Sequence, residues 1–578
     1  MDNSKIADTF DELAELLEFR GENPFRVRAY RGGAKAIRDL NESVATIIAD
    51  PARSLADVPG IGSTLADKSR VLVETGILPQ LEALREEIPD SVIAMTRIPG
   101  LGAKKAAVLH RELGIGSLEE LRTACNEERV RKLKGFGAKT EDMILAGLQI
   151  AQAANERIYW STADELVTKI SDHLRSCPAI TRFEWAGSYR RGKETVGDLD
   201  LLVVATDRDQ AMDHFEAYPD RTQTIARGEQ KKISIRVGKS FQVDMRLVDE
   251  AEFGAALQYF TGSKEHNVHV RRLAGVIGLK INEYGVYRES DNVRIGGATE
   301  EELYAAVGLP WIAPELREDR QEFDLANNQM LPTLITESMM LGDLHMHTSA
   351  TDGTATLREM ADAAISRGLQ YIAITDHSKR VSMANGLDAD RLRAQWKMID
   401  AMRAEYAGRL VILKGIECDI LEQGGMDLPD DCLAEADWVL ASVHYGQKQP
   451  RQQITDRILG AIANPNVDCI AHPTGRLINR RDPYDVDLDA VMRAAAANGT
   501  LLELNGNPAR LDLSDVHLAA AKRLGIPIVI NTDAHSADGL SVMRFGIMQA
   551  RRGGLTQTDV ANTKPVDQFL AFIDTPRF

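Results

Sequence analysis

Thiols and long apolar runs are scarce in this chain, and its 69 basic residues are outnumbered by 86 acidic ones. Five cysteines in 578 residues, at 125, 177, 418, 432 and 469, form no C-x-x-C pair. That excludes a small disulfide-stapled scaffold and fits a reducing compartment. No apolar stretch approaches the roughly 20 residues needed to cross a bilayer. The start Met-Asp-Asn-Ser-Lys also lacks the basic-then-apolar pattern of a secretory signal. A cytoplasmic protein with no membrane association is expected. The formal net charge of −17 excludes a protein that coats nucleic acid by bulk charge. Any such affinity must come from local patches, and Arg20, Arg26, Arg28, Arg31, Lys35 and Arg38 make one near the N-terminus.

What is present is length enough for several cores and three separate pieces of chemistry. Up to about residue 150 the pattern is helical, with Ile6, Phe10, Leu13, Leu16 and Leu17 at helix spacing. Glycine-rich breaks interrupt it at Val58-Pro59-Gly60-Ile61-Gly62, Ile98-Pro99-Gly100-Leu101-Gly102 and Lys134-Gly135-Phe136-Gly137. Each break follows one apolar helix and precedes another. Such glycines let backbone N–H groups at a helix N-terminus meet a DNA phosphate without side-chain obstruction. The contact is blind to base sequence.

The second piece is Gly187-Ser188-Tyr189-Arg190-Arg191-Gly192 followed by Gly197-Asp198-Leu199-Asp200. Asp198 and Asp200 alternate with an apolar residue and run into Leu201-Leu202-Val203-Val204, so on a strand both carboxylates leave one face. A third acid, Asp244, lies in another alternating strand, Phe241 to Leu247. Three acids converging from two strands can hold two divalent cations about 3.5–4 Å apart. Gly187, Ser188 and Arg191 add close backbone approach, a hydroxyl and a guanidinium fork for phosphate oxygens. This is nucleotidyl-transfer chemistry.

The third piece occupies the last 240 residues or so, where apolar strands alternate with amphipathic helices. Ligand-type side chains recur at the strand ends: His345 and His347, His377 after Tyr371 to Thr375, Glu417 after Val411, His444 after Trp438, His472 after Cys469, and Asp533 and His535 after Ile528. Six of the chain's twelve histidines fall there. Parallel β/α units gather such ends at one face of a barrel. Imidazole and carboxylate without thiolate suit Zn2+, Mn2+ or Fe2+, and Glu417 can bridge two ions. Arg476 is a candidate phosphate contact or equally a surface salt bridge, and Asn505 and Asn507 are further candidate substrate contacts.

These motifs resemble known families. Gly-Ser-x-Arg-Arg-Gly with the Asp-x-Asp pair and Asp244 is similar to the nucleotidyltransferase palm of family X DNA polymerases, the polymerase beta group. Tyr259-Phe260-Thr261-Gly262-Ser263-Lys264, Asn267 and Gly278 to Gly285 resemble that family's nucleotide-selecting thumb. The resemblance implies Asp198, Asp200 and Asp244 as catalytic metal ligands, with Mg2+ or Mn2+. It also implies a nucleotide site of Gly187, Ser188, Arg191, Gly197, Tyr259, Phe260, Gly262 and Asn267. Within it Ser188 and Arg191 hold the triphosphate, Tyr259 and Phe260 flank the sugar, and Asn267 reads the base edge. Gln242 departs from the beta enzyme's Arg beside the third Asp. The glycine breaks resemble helix-hairpin-helix motifs, with Gly60, Gly62, Gly100, Gly102, Gly135 and Gly137 against DNA. Lys68 falls where the beta enzyme carries its Schiff-base lysine, with Arg70 or Lys35 expected to lower its pKa.

The C-terminal pattern resembles the PHP phosphoesterase domain. That resemblance implies His345, His347, Asp352, His377, Glu417, His444, His472, Asp533 and His535 as ligands for two or three ions. The expected fold is multidomain: an all-α helix-hairpin-helix part (1–80 and 81–150), an α+β palm (151–250) and thumb (251–315), a polar linker (316–340) and a distorted β/α barrel (341–578). The expected protein is a monomer that acts on gapped or primed DNA with deoxynucleoside triphosphates in base-excision repair. Its barrel is expected to supply metal-dependent 3'-5' exonuclease activity, with abasic-site endonuclease or 3'-phosphatase activity as further expectations of the resemblance. The rival readings are a DNA-tethered PHP phosphoesterase with an inactive polymerase core, a non-catalytic repair scaffold, and a histidinol phosphatase, which leaves three DNA hairpins without a purpose.

Overall fold

The computed structural model describes residues 3–40, 42–88, 92, 94–98, 101–138, 140–145, 157–238 and 240–574. They form two compact units. One holds the N-terminal residues through Arg157 with the short segments Pro219–Ile225 and Ser234–Val243; the other holds Ile158–Tyr218, Ala226–Ile233 and Asp244–Phe578.

The N-terminal part is helical as its periodicity predicts. Ile6, Phe10, Leu13 and Leu17 of helix Asn3–Arg20 are fully buried, and their core continues through Leu72, Leu109 and Val130. Asn23 caps helix Pro24–Arg38, whose first residue is a proline that needs no N–H partner. Gly62 and Gly102 start helices Ser63–Thr75 and Ala103–Leu113 without a side-chain cap, which leaves their first amides open. Gly60 and Gly135 have φ of +88° and +90°, a turn geometry that disfavours any side chain. Gly100 lies outside the described residues.

The palm has strands β2 (Ile180–Trp185), β4 (Asp198–Ala205), β5 (Arg221–Arg227), β6 (Lys232–Val237) and β7 (Phe241–Leu247) in the order β2-β4-β7-β6-β5, while β1 (Ile158–Tyr159) pairs with β3 (Thr195–Val196). β4 and β7, the two acid-bearing strands, are therefore neighbours. The thumb carries helices Phe253–Thr261 and Lys264–Val276 and the sheet β8 (Leu279–Asn282), β9 (Gly285–Arg288) and β10 (Arg294–Gly296).

The segment 316–340, expected to be a polar linker, is ordered and partly buried. Its Arg317 is wholly buried because Glu300 and the Ile312 carbonyl accept its hydrogen bonds, and Phe323 and Ala326 of helix Glu322–Asn327 join the thumb core. Arg317, Glu318 and Glu322 are paired inside rather than solvated, whereas Asp319, Asp324 and Glu337 are exposed, a division that composition alone does not show.

In the C-terminal part seven parallel strands follow chain order: β11 (Gly342–Asp343), β12 (Tyr371–Ile374), β13 (Val411–Asp419), β14 (Trp438–Ser442), β15 (Cys469–Ile470), β16 (Leu501–Asn505) and β17 (Ile528–Asn531). Beyond the strand ends a bridge between Met346 and Ala534 links the first strand to the last, with the Asp533 N–H donating to the His345 carbonyl at 2.9 Å. The barrel is thus nearly closed. Alternate residues serve two cores: Ile372, Ile412, Val439 and Ile528 face the helices, whereas Tyr371, Leu413, Trp438 and Val529 share a separate cluster with Phe569. The Phe569 ring lies 4.8 Å from Tyr371 and 5.9 Å from Trp438 between centroids. This packing fills one end of the interior and leaves the other to polar groups.

Candidate functional site

Strand parity selects the candidate ligands of the barrel. Residues an even number of positions beyond the interior-facing ones are His377 after Tyr371, Glu417 after Leu413, His444 after Leu440, and Asp533 and His535 after Val529. They form three groups whose ligand atoms lie within 4.8 Å of one another: His347, Asp352, His377 and His535; His345, His347 and Asp533; His377, Glu417 and His444. Eight of the nine expected ligands fall in these groups. The ninth, His472, reaches the same place through Nε2, 3.0 Å from Glu417 Oε1.

The buried ring nitrogens His345 Nε2, His347 Nδ1 and His472 Nδ1 make no hydrogen bond, and His377 Nδ1 and Glu417 Oε2 lie 2.8 Å apart without hydrogen-bond geometry. Buried donors and acceptors left unmade at one spot fit a set of metal ligands. The electrostatics diverge sharply. Burial opposes the charged form of His377, but Glu417 and Asp352 outweigh it and push the imidazole up to about 10. His347 goes the other way, to about 4, through burial and the neighbouring His377 and His535. Glu417 stays well below the carboxylate range because His444, His377 and His345 overcome its burial.

Sequence reading missed the groups that orient these ligands. Glu503 lies 2.7 Å from His345 Nδ1 and accepts the His472 N–H at 2.7 Å and the Asn531 amide at 2.9 Å. Asp419 lies 3.2 Å from His444 Nδ1 and accepts its N–H at 3.0 Å. Asp376 holds the turn after His347, accepting the Thr348 N–H at 2.8 Å and hydroxyl at 2.6 Å. Glu503 was legible in principle, since it follows Leu501 with interior parity. Arg510 Nε, 3.5 Å from Asp533 Oδ2, is a cation at the same mouth. Arg476 is half-buried, its Nη1 donating to Glu194 at 3.2 Å and its Nη2 to the Leu511 carbonyl. Asn505 donates to Asp533 at 3.1 Å, and Asn507 caps its own turn.

In the palm, the acid-bearing strands lie side by side, yet their carboxylates are less tightly gathered. Among the described residues every group dense enough for one ion lies in the barrel. The palm acids still feel one another: burial, then Asp198 and Asp244, raise Asp200 to about 7. Lys232, which the sequence did not single out, holds Asp244 Oδ2 at 2.9 Å. Gly187 begins the short helix Gly187–Arg190 at φ +64°, and a Cβ there would meet Asp200 Oδ2 at 2.6 Å. The phosphate turn thus presses its backbone on the acid, with Ser188 half-buried beside it.

Arg191 donates through Nε to Glu318 at 3.2 Å and through Nη1 to the Thr261 carbonyl. Gly262 packs on that guanidinium, where a Cβ would lie 3.1 Å from Nη1. Tyr259 and Phe260 meet edge to face at 5.1 Å, and Arg246 lies over Phe260 at 4.3 Å. Asn267 accepts from Gln258 and donates to the Tyr259 carbonyl, both at 2.7 Å, which uses one of its two amide hydrogens. Asp198 and Gly197 are exposed at the start of β4.

In the N-terminal domain Lys68 is half-buried on helix Ser63–Thr75 and donates to Gln80 Oε1 at 2.7 Å. Burial and the charge of Arg26 lower its pKa; Arg26 stands in the place expected of Arg70 or Lys35. The basic patch is largely neutralised, with Arg26 on Glu22, Arg31 on Glu18, Lys35 on Asp39 and Arg38 on Asp8 and Asp11. Arg28 lies over the exposed Phe25 ring at 4.7 Å.

Comparison with known proteins agrees with this layout. Family profiles match a helix-hairpin-helix domain at residues 1–78, a SAM-like helix-hairpin-helix tandem at 92–149, the DNA polymerase beta palm at 157–242, the DNA polymerase beta thumb at 256–318 and a PHP domain at 343–507. The DNA polymerase/3'-5' exonuclease PolX of Bacillus subtilis is 40% identical over 575 residues, covering 99% of both chains. A probable phosphatase of Thermoanaerobacter is 31% identical over 233 residues, 38% of this chain and 89% of its own. Rat DNA polymerase lambda is 25% identical over 343 residues, 55% of this chain and 56% of its own. The chain belongs to the bacterial family X DNA polymerases that carry a C-terminal PHP domain.

Proposed function

We propose that this chain, a DNA polymerase with a 3'-5' exonuclease barrel, fills short gaps in duplex DNA during base-excision repair and trims or unblocks 3' ends at the PHP site. Ser188 and Arg191 bind the nucleotide triphosphate, Tyr259 and Phe260 flank its sugar, and Asn267 offers its remaining amide hydrogen to the base. Asp198, Asp200 and Asp244 are the palm's metal ligands, and the nine barrel residues are the ligands of two or three Zn2+, Mn2+ or Fe2+ ions. Divalent cations bound at these positions supply Lewis acidity at phosphate and activate the attacking hydroxyl or water. The protein's own part is to hold them: Glu503 and Asp419 fix the imidazoles of His345 and His444, and Arg510 offers a positive charge to a phosphodiester at the mouth.

The observation that carries the reading is that one chain holds two separate acidic centres: a phosphate turn pressed on Asp200, and eight ligand residues drawn into three groups in the barrel. Product analysis on a one-nucleotide gapped duplex and an abasic duplex tests it. Asp198→Ala is expected to abolish incorporation and keep hydrolysis, and His345→Ala to do the reverse; loss of both activities in each variant defeats the two-site reading. A tethered phosphoesterase or a scaffold predicts no extension by the wild type. Cleavage of the abasic duplex separates endonuclease from exonuclease action.

The N-terminal domain binds DNA backbone through Gly60, Gly62, Gly102, Gly135 and Gly137, with Gly100 assigned by motif. Lys68 is the nucleophile of an abasic-site lyase. Its support is a half-buried amine whose pKa is lowered by burial and Arg26. Borohydride trapping of a 5'-deoxyribose phosphate substrate checks this; equal trapping by Lys68→Ala removes the assignment.

A further inference from the structure

The palm's phosphate turn is held from outside the palm. Helix Met543–Arg552, part of the PHP barrel, presents Met548, Gln549 and Arg552 to residues 191–194. A Cβ on Gly192 would lie 2.4 Å from Met548 Cγ, so the turn and the helix touch where only glycine fits. The buried Arg552 donates through Nη1 to the Arg191 carbonyl at 2.7 Å and to Glu318 Oε1 at 3.0 Å, and through Nη2 to Asp515 Oδ2 at 2.6 Å. Glu318 in turn accepts from Arg191 Nε at 3.2 Å and lies 3.8 Å from Lys193 Nζ. Gln549 donates to Glu194 at 2.6 Å. The backbone of Arg191 is therefore held by one buried arginine of the hydrolase domain, and its guanidinium by the carboxylate that arginine shares together with the Thr261 carbonyl.

The fork of Arg552 matters here. Its two Nη groups serve three acceptors in different directions, which a lysine's single ammonium does not do. Asp515 anchors the arrangement, since Arg320 also reaches it at 3.2 Å. With Glu318 between Arg552 and Arg191, the triphosphate-binding guanidinium is oriented before nucleotide arrives, which lowers the ordering cost of binding.

We propose that Arg552 of the PHP domain is a positioning residue for nucleotide binding at the polymerase site, acting through Glu318 and the Arg191 backbone. This rests on the reading that Ser188 and Arg191 hold the triphosphate. Its signature is a change in KM for nucleotide with little change in kcat, in a residue far along the chain from the palm.

The test uses the full chain and measures single-nucleotide incorporation beside hydrolysis of bis(4-nitrophenyl) phosphate. Arg552→Gln is expected to raise nucleotide KM about tenfold and Arg552→Lys about threefold, with kcat and hydrolysis each within about twofold of wild type. Arg191→Ala is the control. If it raises KM while both Arg552 variants leave KM unchanged, the positioning role is overturned and the triphosphate reading stands. If Arg191→Ala leaves KM unchanged, the triphosphate reading falls and this proposal with it. Should incorporation and hydrolysis fall together in the Arg552 variants, Met548→Ala decides, because it loosens the Gly192 contact without stranding a buried charge. A KM rise of about threefold in that variant supports the role, and an unchanged KM overturns it.

Discussion

The palm and the barrel both gather polar side chains of metal-binding type, in opposite ways. In the barrel, imidazoles alternate with carboxylates, so His377 and Glu417 or His347 and Asp533 attract one another and the site assembles to 4.8 Å before any ion is considered. The palm has only carboxylates at its centre. Asp198, Asp200 and Asp244 repel, Asp200 is raised to about 7, and Lys232 occupies Asp244. One centre is organised by attraction among its own side chains; the other gathers like charges.

The largest effect expected from this contrast is on activity. Asp198→Ala should lower nucleotide incorporation by at least about 10³-fold with hydrolysis retained, and Glu417→Ala should do the same to hydrolysis alone. Gel assays of extension and resection on one substrate read both. Next comes the orientation of the barrel ligands. Glu503→Gln should weaken metal binding to the barrel by about 10- to 100-fold in a competitive chelator titration, because His345 loses its carboxylate partner. An unchanged affinity would mean that the barrel is not organised by its own side chains.

The third effect is proton release. His377 in the metal-free protein is protonated at neutral pH, its pKa being about 10, and a ligand must be neutral. Metal binding to the barrel should therefore release protons, and affinity should rise with pH. Calorimetry in buffers of different ionisation enthalpy measures this. The palm predicts a smaller effect of its own. Asp200 has a folded pKa raised from 3.8 to about 7, so the native state binds more protons than the unfolded one between those values, and stability falls as pH rises through this window. Mg2+ relieves the repulsion only where Asp200 is ionised. The rise in Tm on adding Mg2+ to the His345→Ala protein should exceed its pH 6 value by about 2–4 °C at pH 8. Equal shifts at both pH values would show that the palm acids do not compete for charge.

Much of this was legible in the sequence, for identifiable reasons. A carboxylate pair two residues apart on an apolar strand has one geometry available, so Asp198 and Asp200 were readable from period alone. Histidines at successive strand ends had to meet if the units were parallel. For Arg476 the sequence left both a phosphate contact and a salt bridge open, because the partner it meets, Glu194, lies 282 residues away. The polar look of 316–340 concealed Arg317 and Glu318, whose burial depends on Glu300 and Arg552. Local sequence does not distinguish a solvated charge from one paired across a domain boundary.

By itself, then, the sequence determined the order of the parts, the ligand types and the faces they leave from, because strand and helix periods are local and admit few alternatives. Only tertiary structure decided which charges meet: Lys232 with Asp244, Glu503 with His345, and Arg552 with the phosphate turn. Electrostatic pairing depends on distance in space and on burial, and both are set by how the elements pack rather than by how they are ordered.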